Sequence, residues 1–193
     1  MEQVSKFIRN TIQSIIDRSR FGTFRSEDQI QGYFEGRARV ALSRKLEYSA
    51  EHPTKNKYVR RAGHLELSDE GTRGRIDAVI KSKSGPIAGI EIQYPRGQGL
   101  KNRDFFVSHI RNDVKKLTEY DGLRERYLLI FAYNDPPDDI SIRRLDLEGK
   151  GVKILHLRLA KKNQAANNIQ ISKIESVPEG WISFDNSGRV RVI

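Results

Sequence analysis

Two short stretches, GRID at Gly74–Asp77 and IEIQ at Ile90–Gln93, each set an acid inside an otherwise apolar, β-branched segment. Their alternation predicts strands over Arg75–Lys81 and Ile87–Gln93, joined by Ser82–Pro86. In the simplest hairpin register Asp77 faces Glu91, and Arg75 faces Gln93. One face then collects Arg75, Asp77, Val79, Glu91 and Gln93, and the other Ile76, Ala78, Ile80, Ile90 and Ile92, an apolar core face. Two carboxylates directly across a strand pair repel unless a positive charge joins them. Ordinary salt bridges to Arg75, Arg96 or a lysine are one way. A divalent cation is the other, and carboxylate oxygens with water are what Mg²⁺ prefers. A cation held so can lower the pKa of a bound water and stabilise charge on a phosphate. No two of His52, His64, His109 and His156 stand at ligand spacing; His109 is the nearest of them to the site, on a helix that follows it.

The rest of the composition narrows the chemistry. There is no cysteine, which excludes disulfides, zinc–thiolate sites, iron–sulfur clusters and thiol nucleophiles, and fits a cytoplasmic protein. Lys and Arg number 35 against 25 Asp and Glu, a formal charge of +10, which suits a polyanionic partner such as nucleic acid. Hydrophobic residues make up 37% of the 193, enough for one folded domain, and no apolar run reaches the roughly 18 residues of a membrane span. The opening MEQVSKFIRNTIQSIIDRSR lacks a signal-peptide core; a membrane-surface role for this basic amphipathic stretch is opposed by Glu2 and Asp17.

Val4, Ile8, Ile12, Ile15 and Ile16 predict a helix over 2–19. A second helix is expected from 26 to 48, with Ser26 as N-cap, Glu27 and Asp28 in its first turn, and a stripe of Ile30, Phe34, Ala41 and Tyr48 flanked by Ala38 and Leu42. SAEHPTKNK (49–57) reads as a loop, YVRRAGHLEL (58–67) as a strand and SDEGTRG (68–74) as a turn. After the acid-bearing strand pair comes the loop PRGQGLKNR, then a helix over 104–120 with Val107, Ile110, Val114 and Leu117 on one face. RYLLIFAY (126–133) has the composition of a central strand buried on both sides. NDPPDD is a turn, ISIRRLDLEG a short helix or strand, VKILHLRLA (152–160) a strand, and KKNQAANN a linker. IQISKIES, WISFD and RVRVI form a β tail, with DNSG turning a terminal hairpin. The order predicts an α/β protein with a mixed sheet and no Gly-rich phosphate loop.

GRIDAVI, a tight turn and GIEIQ together resemble the PD-(D/E)xK nuclease superfamily, whose signature is an Asp ending one strand and Glu-x-Lys on the next. The likeness runs from about Glu27 to Tyr133. It implies a restriction-endonuclease-like three-layer core, a central mixed β-sheet flanked by helices. On that template residues 1–193 form one nuclease-like domain: an N-terminal helix over 1–22, a catalytic core over 26–160 and a C-terminal β-rich extension over 168–193. By position, Asp77, Glu91 and the carbonyl of Ile92 would hold Mg²⁺, or Mn²⁺ in its place. Gln93 stands where the family carries lysine, and glutamine cannot act as a cationic acid. Three readings follow, in this order: an active variant, an enzyme whose lysine has moved (Lys81 being the candidate), or an inactive nucleic-acid-binding or interaction protein that keeps the fold. The family's further helical acid maps to Glu27, then Glu35, with Glu66 an outside choice. Arg75, Arg96, Lys101, Arg103, Lys115 and Lys116 are candidates for phosphate contacts, among a larger basic set that includes Lys55, Lys57, Arg60, Arg61 and Arg73. The implied activity is Mg²⁺-dependent DNA endonuclease hydrolysis, as in restriction, defence or repair, with a homodimer or a second binding event where both strands are cut.

Overall fold

The computed structural model of the chain describes residues 2–19, 24–61, 64–94, 103–132, 151–159, 183–184 and 190–191. Helix α1 (Glu2–Ser19) buries Val4, Phe7, Ile8, Ile12, Ile15 and Ile16, as their spacing requires. Its two buried hydroxyls are satisfied inside the helix: Thr11 Oγ1 donates to Phe7 O (2.8 Å) and Ser19 Oγ to Ile16 O (2.7 Å). Helix α2 (Glu27–Ala41) starts at the expected cap, where Ser26 Oγ accepts from the Gln29 amide. It buries Ile30, Phe34 and Ala38 and stops at Ala41, about two turns short of the expected end at Tyr48, because Leu42 leaves the helical region (φ −81°, ψ 138°). Ala41 is therefore exposed, and Tyr48 lies in a strand.

That strand is the main departure from expectation. β1 (Leu46–Arg61) runs straight through the predicted loop 49–57. Ser49, Ala50, His52 and Pro53 pair antiparallel with Val79, Ala78, Ile76 and Arg75 of β3 (Thr72–Ser82). The turn-forming residues between Pro53 and Lys57 make a register shift in the ladder and do not end it. The predicted strand 58–67 is divided: Tyr58–Arg61 finishes β1, which pairs back with β2 (His64–Leu67). β3 joins β4 (Gly85–Gln93) through Lys83 and Ser84, a tighter connection than the five residues expected, with Gly85 at φ +119°.

Helix α3 (Arg103–Glu119) leads to β5 (Glu125–Ala132), and β6 (Lys153–Arg158) follows. The strand order is β2-β1-β3-β4-β5-β6, antiparallel up to β4 and parallel for the last two pairings, so the sheet is mixed. Tyr127, Leu129 and Phe131 of β5 join Ala78, Ile80, Ile90 and Ile92 beneath α1 and α2. Leu128 and Ile130 join Val79 with Ile110, Val114 and Leu117 of α3 on the opposite face. The central strand is thus buried on both sides, as its composition predicted. Gly89 lies where α3 and the turn after it press on the sheet; a Cβ there would stand 2.6 Å from Leu123.

The terminal hairpin appears as β7 (Ser183–Phe184) and β8 (Val190–Arg191), paired Ser183 to Arg191 and Phe184 to Val190. The elements expected over 133–150 and 161–182 lie outside the described residues. Among those described, no helix is long and apolar enough to cross a membrane.

Candidate functional site

The register of β3 on β4 pairs Ala78 with Ile90, Val79 with Gly89 and Ile80 with Ala88, which carried one step further sets Asp77 across from Glu91. On its other side β3 is interrupted at the same point. The ladder to β1 passes from Ala50–Ala78 to His52–Ile76, leaving out Asp77 and Glu51, and Glu51 has a left-handed φ of +47°. The alternation of faces breaks there. Ile76 and Val79 pack in one cluster beneath α3, although their numbers differ in parity. Arg75, expected on the same face as Asp77, is instead exposed (side chain 67%), 3.8 Å from Glu51.

Asp77 and Glu91 are held from several elements. Asp77 Oδ2 accepts the Ile92 amide at 2.6 Å, so Ile92 meets the site through its N–H. Glu91, only 1% exposed, sits under α3, where Lys116 Nζ comes within 2.7 Å of its Oε1. The same ammonium lies 2.9 Å from Asp113 Oδ1 and donates to the Arg75 carbonyl at 3.1 Å. Gln93 Nε2 donates to Asp113 Oδ2. Glu27, in the first turn of α2, accepts the Tyr94 amide at 3.3 Å.

Glu91 and Asp113 thus pair with Lys116, and the charge of that ammonium also reaches Asp77 and Glu27 nearby. Asp77, Glu91 and Glu27 are all shifted upward, each chiefly by burial. Burial pushes the Asp77 carboxyl up to about 7; the Ile92 amide opposes this and the Asp113 charge reinforces it. Glu91 is raised well above the usual range, first by burial, then by Asp113 and Asp77, against the pull of Lys116. Glu27 is raised by burial, with the Tyr94 amide opposing and Asp113 adding to the shift. Burial alone would lower the Lys116 ammonium, but Glu91 and Asp113 outweigh it and the net shift is upward.

The donors are hard oxygens, suited to Mg²⁺ or Mn²⁺. Lys116 Nζ is the cation at the buried Glu91 Oε1, 2.7 Å away, and among the described residues that oxygen has no well-aligned hydrogen-bond donor. Among the described residues no three His, Asp or Glu side chains lie together in a group that could hold a metal ion. Two carboxylates, Asp77 and Glu91, are what would remain for a Mg²⁺ that keeps several waters, with Asp77 Oδ2 already on the Ile92 amide and Glu91 Oε1 on Lys116.

Of the other candidates, Glu35 turns away to Arg39 one turn on, at 2.5 Å, and stays at the surface. Glu66 is on the edge strand β2, beyond β1. Lys81 pairs with Glu47 and Pro86 near the hairpin end of β3, four residues from Asp77, or about 13 Å of strand. Lys115 faces Glu119 at 3.9 Å. Lys116, a candidate for phosphate contacts, is instead buried to 14% exposure and forms the cationic centre of the site. Arg96 and Lys101 lie outside the described residues, and Arg103 is described only as the first residue of α3.

Asp113 was missed. Its signal was present in the sequence: it lies three residues after Ile110 and one before Val114, on the buried side of the predicted helix, and an acid there needs a cation. Lys116, three residues on, is that cation. Comparison with models of protein families, with curated proteins and with solved structures finds no match to this chain.

Proposed function

We propose that the chain is a Mg²⁺-dependent nuclease with a restriction-endonuclease-like core of the PD-(D/E)xK kind, hydrolysing phosphodiester bonds in DNA. The observation that carries this reading is the pairing of buried Glu91 and Asp113 with one ammonium, Lys116, beside Asp77 and Glu27, which are held by the Ile92 and Tyr94 amides at the end of β4. An excess of buried negative charge is unfavourable for folding alone and suits a site that receives a cation. In this reading Asp77 and Glu91 would hold the ion, which when bound supplies an activated water and a counter-charge for the phosphate. Lys116 takes the place of the lysine that Gln93 replaces. Its ammonium reaches Glu91 from α3 and stabilises negative charge developing on the phosphate. Gln93 works indirectly: its amide holds Asp113, which holds Lys116 in position. Glu27 adds an acid from the far side, fixed by the Tyr94 amide.

The same ion pair supports a second reading. If Lys116 permanently neutralises Glu91, the chain is a nucleic-acid-binding protein that cuts nothing. Nicking of supercoiled plasmid with Mg²⁺ or Mn²⁺ separates the two. The nuclease reading expects metal-dependent nicking by the wild-type chain and its loss, by about 10³-fold or more, in Asp77→Ala and Glu91→Ala. DNA binding by the wild-type chain without nicking in either metal decides for the second.

A further inference from the structure

The reversal of faces at Glu51 and Asp77 redirects the side chains of the outer half of the β1–β3 ribbon. Beyond that point Thr54, Tyr58, Gly74 and Ile76 turn inward, toward α3. Thr54 Oγ1 donates to the Gly74 carbonyl at 3.1 Å, and Tyr58 Oη donates to Glu119 Oε2 at 2.9 Å. Gly74 lies so close under the Tyr58 ring that an added Cβ would stand 2.8 Å from it. This underside is fastened, and the alternate residues are forced out. They are cations: Lys57 and Arg73 are direct register partners, Arg75 stands two residues along β3, and Lys55 lies in the shifted segment of β1, all exposed. Like charges directly opposite on a ladder destabilise it. Among the described residues Lys57 Nζ donates only to a backbone carbonyl, that of Asp69, at 3.0 Å. Arg73 has no acidic partner among the described residues. The row ends at the site, since the Arg75 carbonyl is held by Lys116.

We infer that Lys55, Lys57, Arg73 and Arg75 form a track for the sugar–phosphate backbone of a nucleic acid, leading it toward Asp77 and Glu91. The inference rests on the nuclease reading for its direction, but not for the binding itself. A row of exposed cations on a fastened ribbon, in which among the described residues Arg75 alone lies near an acid (Glu51, 3.8 Å), fits a repeating polyanion.

The test is binding of a fluorescently labelled DNA duplex by the full chain in EDTA, where no metal-dependent cutting contributes, over 50 to 200 mM salt. Each phosphate that a substitution leaves without its cation reduces the slope of log affinity against log salt by about 0.9. Lys57→Gln with Arg73→Gln should reduce it by about 2, so that the wild-type chain loses about tenfold more affinity than the variant across this range. The charge-preserving pair Lys57→Arg with Arg73→Lys should keep the wild-type slope, and Lys83→Gln in the distant β3–β4 turn should leave it unchanged. An unchanged slope in the glutamine pair overturns the track. Equal binding of oligo-glutamate, with the same response to the substitutions, overturns its assignment to nucleic acid. Plasmid nicking is scored separately: a reduced slope in a chain that never nicks keeps the track and removes the nuclease reading.

Discussion

Two buried polar clusters lie at different levels of the same parallel strands, and they are built on opposite plans. Around Glu125, at the start of β5, one carboxylate receives donors from three sides: Ser5 Oγ at 3.3 Å, the Tyr127 hydroxyl, and Lys153 Nζ at 3.5 Å. Lys153 also lies over the Tyr127 ring, 5.0 Å from its centroid. One acid meets one amine, and the remaining acceptor capacity is filled by hydroxyls. Around Lys116 two buried acids, Glu91 and Asp113, share one amine with Asp77 and Glu27 nearby, and among the described residues Glu91 Oε1 has that ammonium but no well-aligned hydrogen-bond donor. The first plan is what a fold needs to bury a charge at low cost, since each group has a partner. The second leaves charge uncompensated, which the fold tolerates by raising carboxyl pKa values. Both clusters are buried, so burial alone does not separate a structural cluster from a candidate site. The charge balance does.

The largest expected contrast comes from removing each cluster's amine. Lys116→Met leaves Glu91 and Asp113 buried without a cation and should cost about 3–5 kcal/mol in urea unfolding above neutral pH, together with any cutting activity. Lys153→Met, at a more open and better satisfied site, should cost about 1 kcal/mol. Equal costs would show that the two clusters are of the same kind.

The pH dependence of stability should follow the unbalanced cluster. Folded Asp77 titrates at about 7 against an ordinary value of 3.8. Between those values the folded chain holds a proton that the unfolded chain has released, so stability is highest at the acidic end and declines as pH rises toward about 7. Burial of Glu91 and Glu27 acts in the same direction. Melting temperatures of the metal-free chain should therefore fall across this window, by the equivalent of up to about 1.4 kcal/mol per pH unit for one group. Asp77→Asn should flatten the decline. A profile unchanged by this substitution would remove Asp77 as its source.

Smaller effects test the balanced cluster and the surface. Tyr127→Phe removes one donor to Glu125 and should cost about 1 kcal/mol in chemical denaturation, with plasmid nicking unaltered. Glu35→Ala breaks an exposed pair one helical turn long. It should change stability by less than about 0.5 kcal/mol and leave nicking as it was; a loss of nicking would return Glu35 to the site.

Much of this was legible in the chain itself. The apolar period of α1, the Ser26 cap, the doubly buried β5 and the meeting of Asp77 with Glu91 all follow from short-range repeats, because a strand or helix sets its faces within a few residues. Glu27 could be preferred to Glu35 for the same reason: it shares a stripe with Ile30 and Phe34, whereas Arg39 lies one turn from Glu35 and can pair with it. The polar stretch 49–57 gave no such repeat. It became strand only because β3 offered it a ladder, and pairing between distant segments overrides weak local preference.

The lysine was likewise undecided by sequence. Lys81 and Lys116 are equally good cations in composition, and parity along β3 favoured Lys81. The strand carries Lys81 away from Asp77 toward the hairpin, while the crossing of α3 over the sheet brings Lys116 back over Glu91. The sequence by itself determined that two acids would meet at the end of a strand pair, since their spacing and the turn between them are local. Which cation reaches them, and where the ribbon reverses its faces, was decided only by tertiary structure, because both depend on distances between elements far apart in the chain.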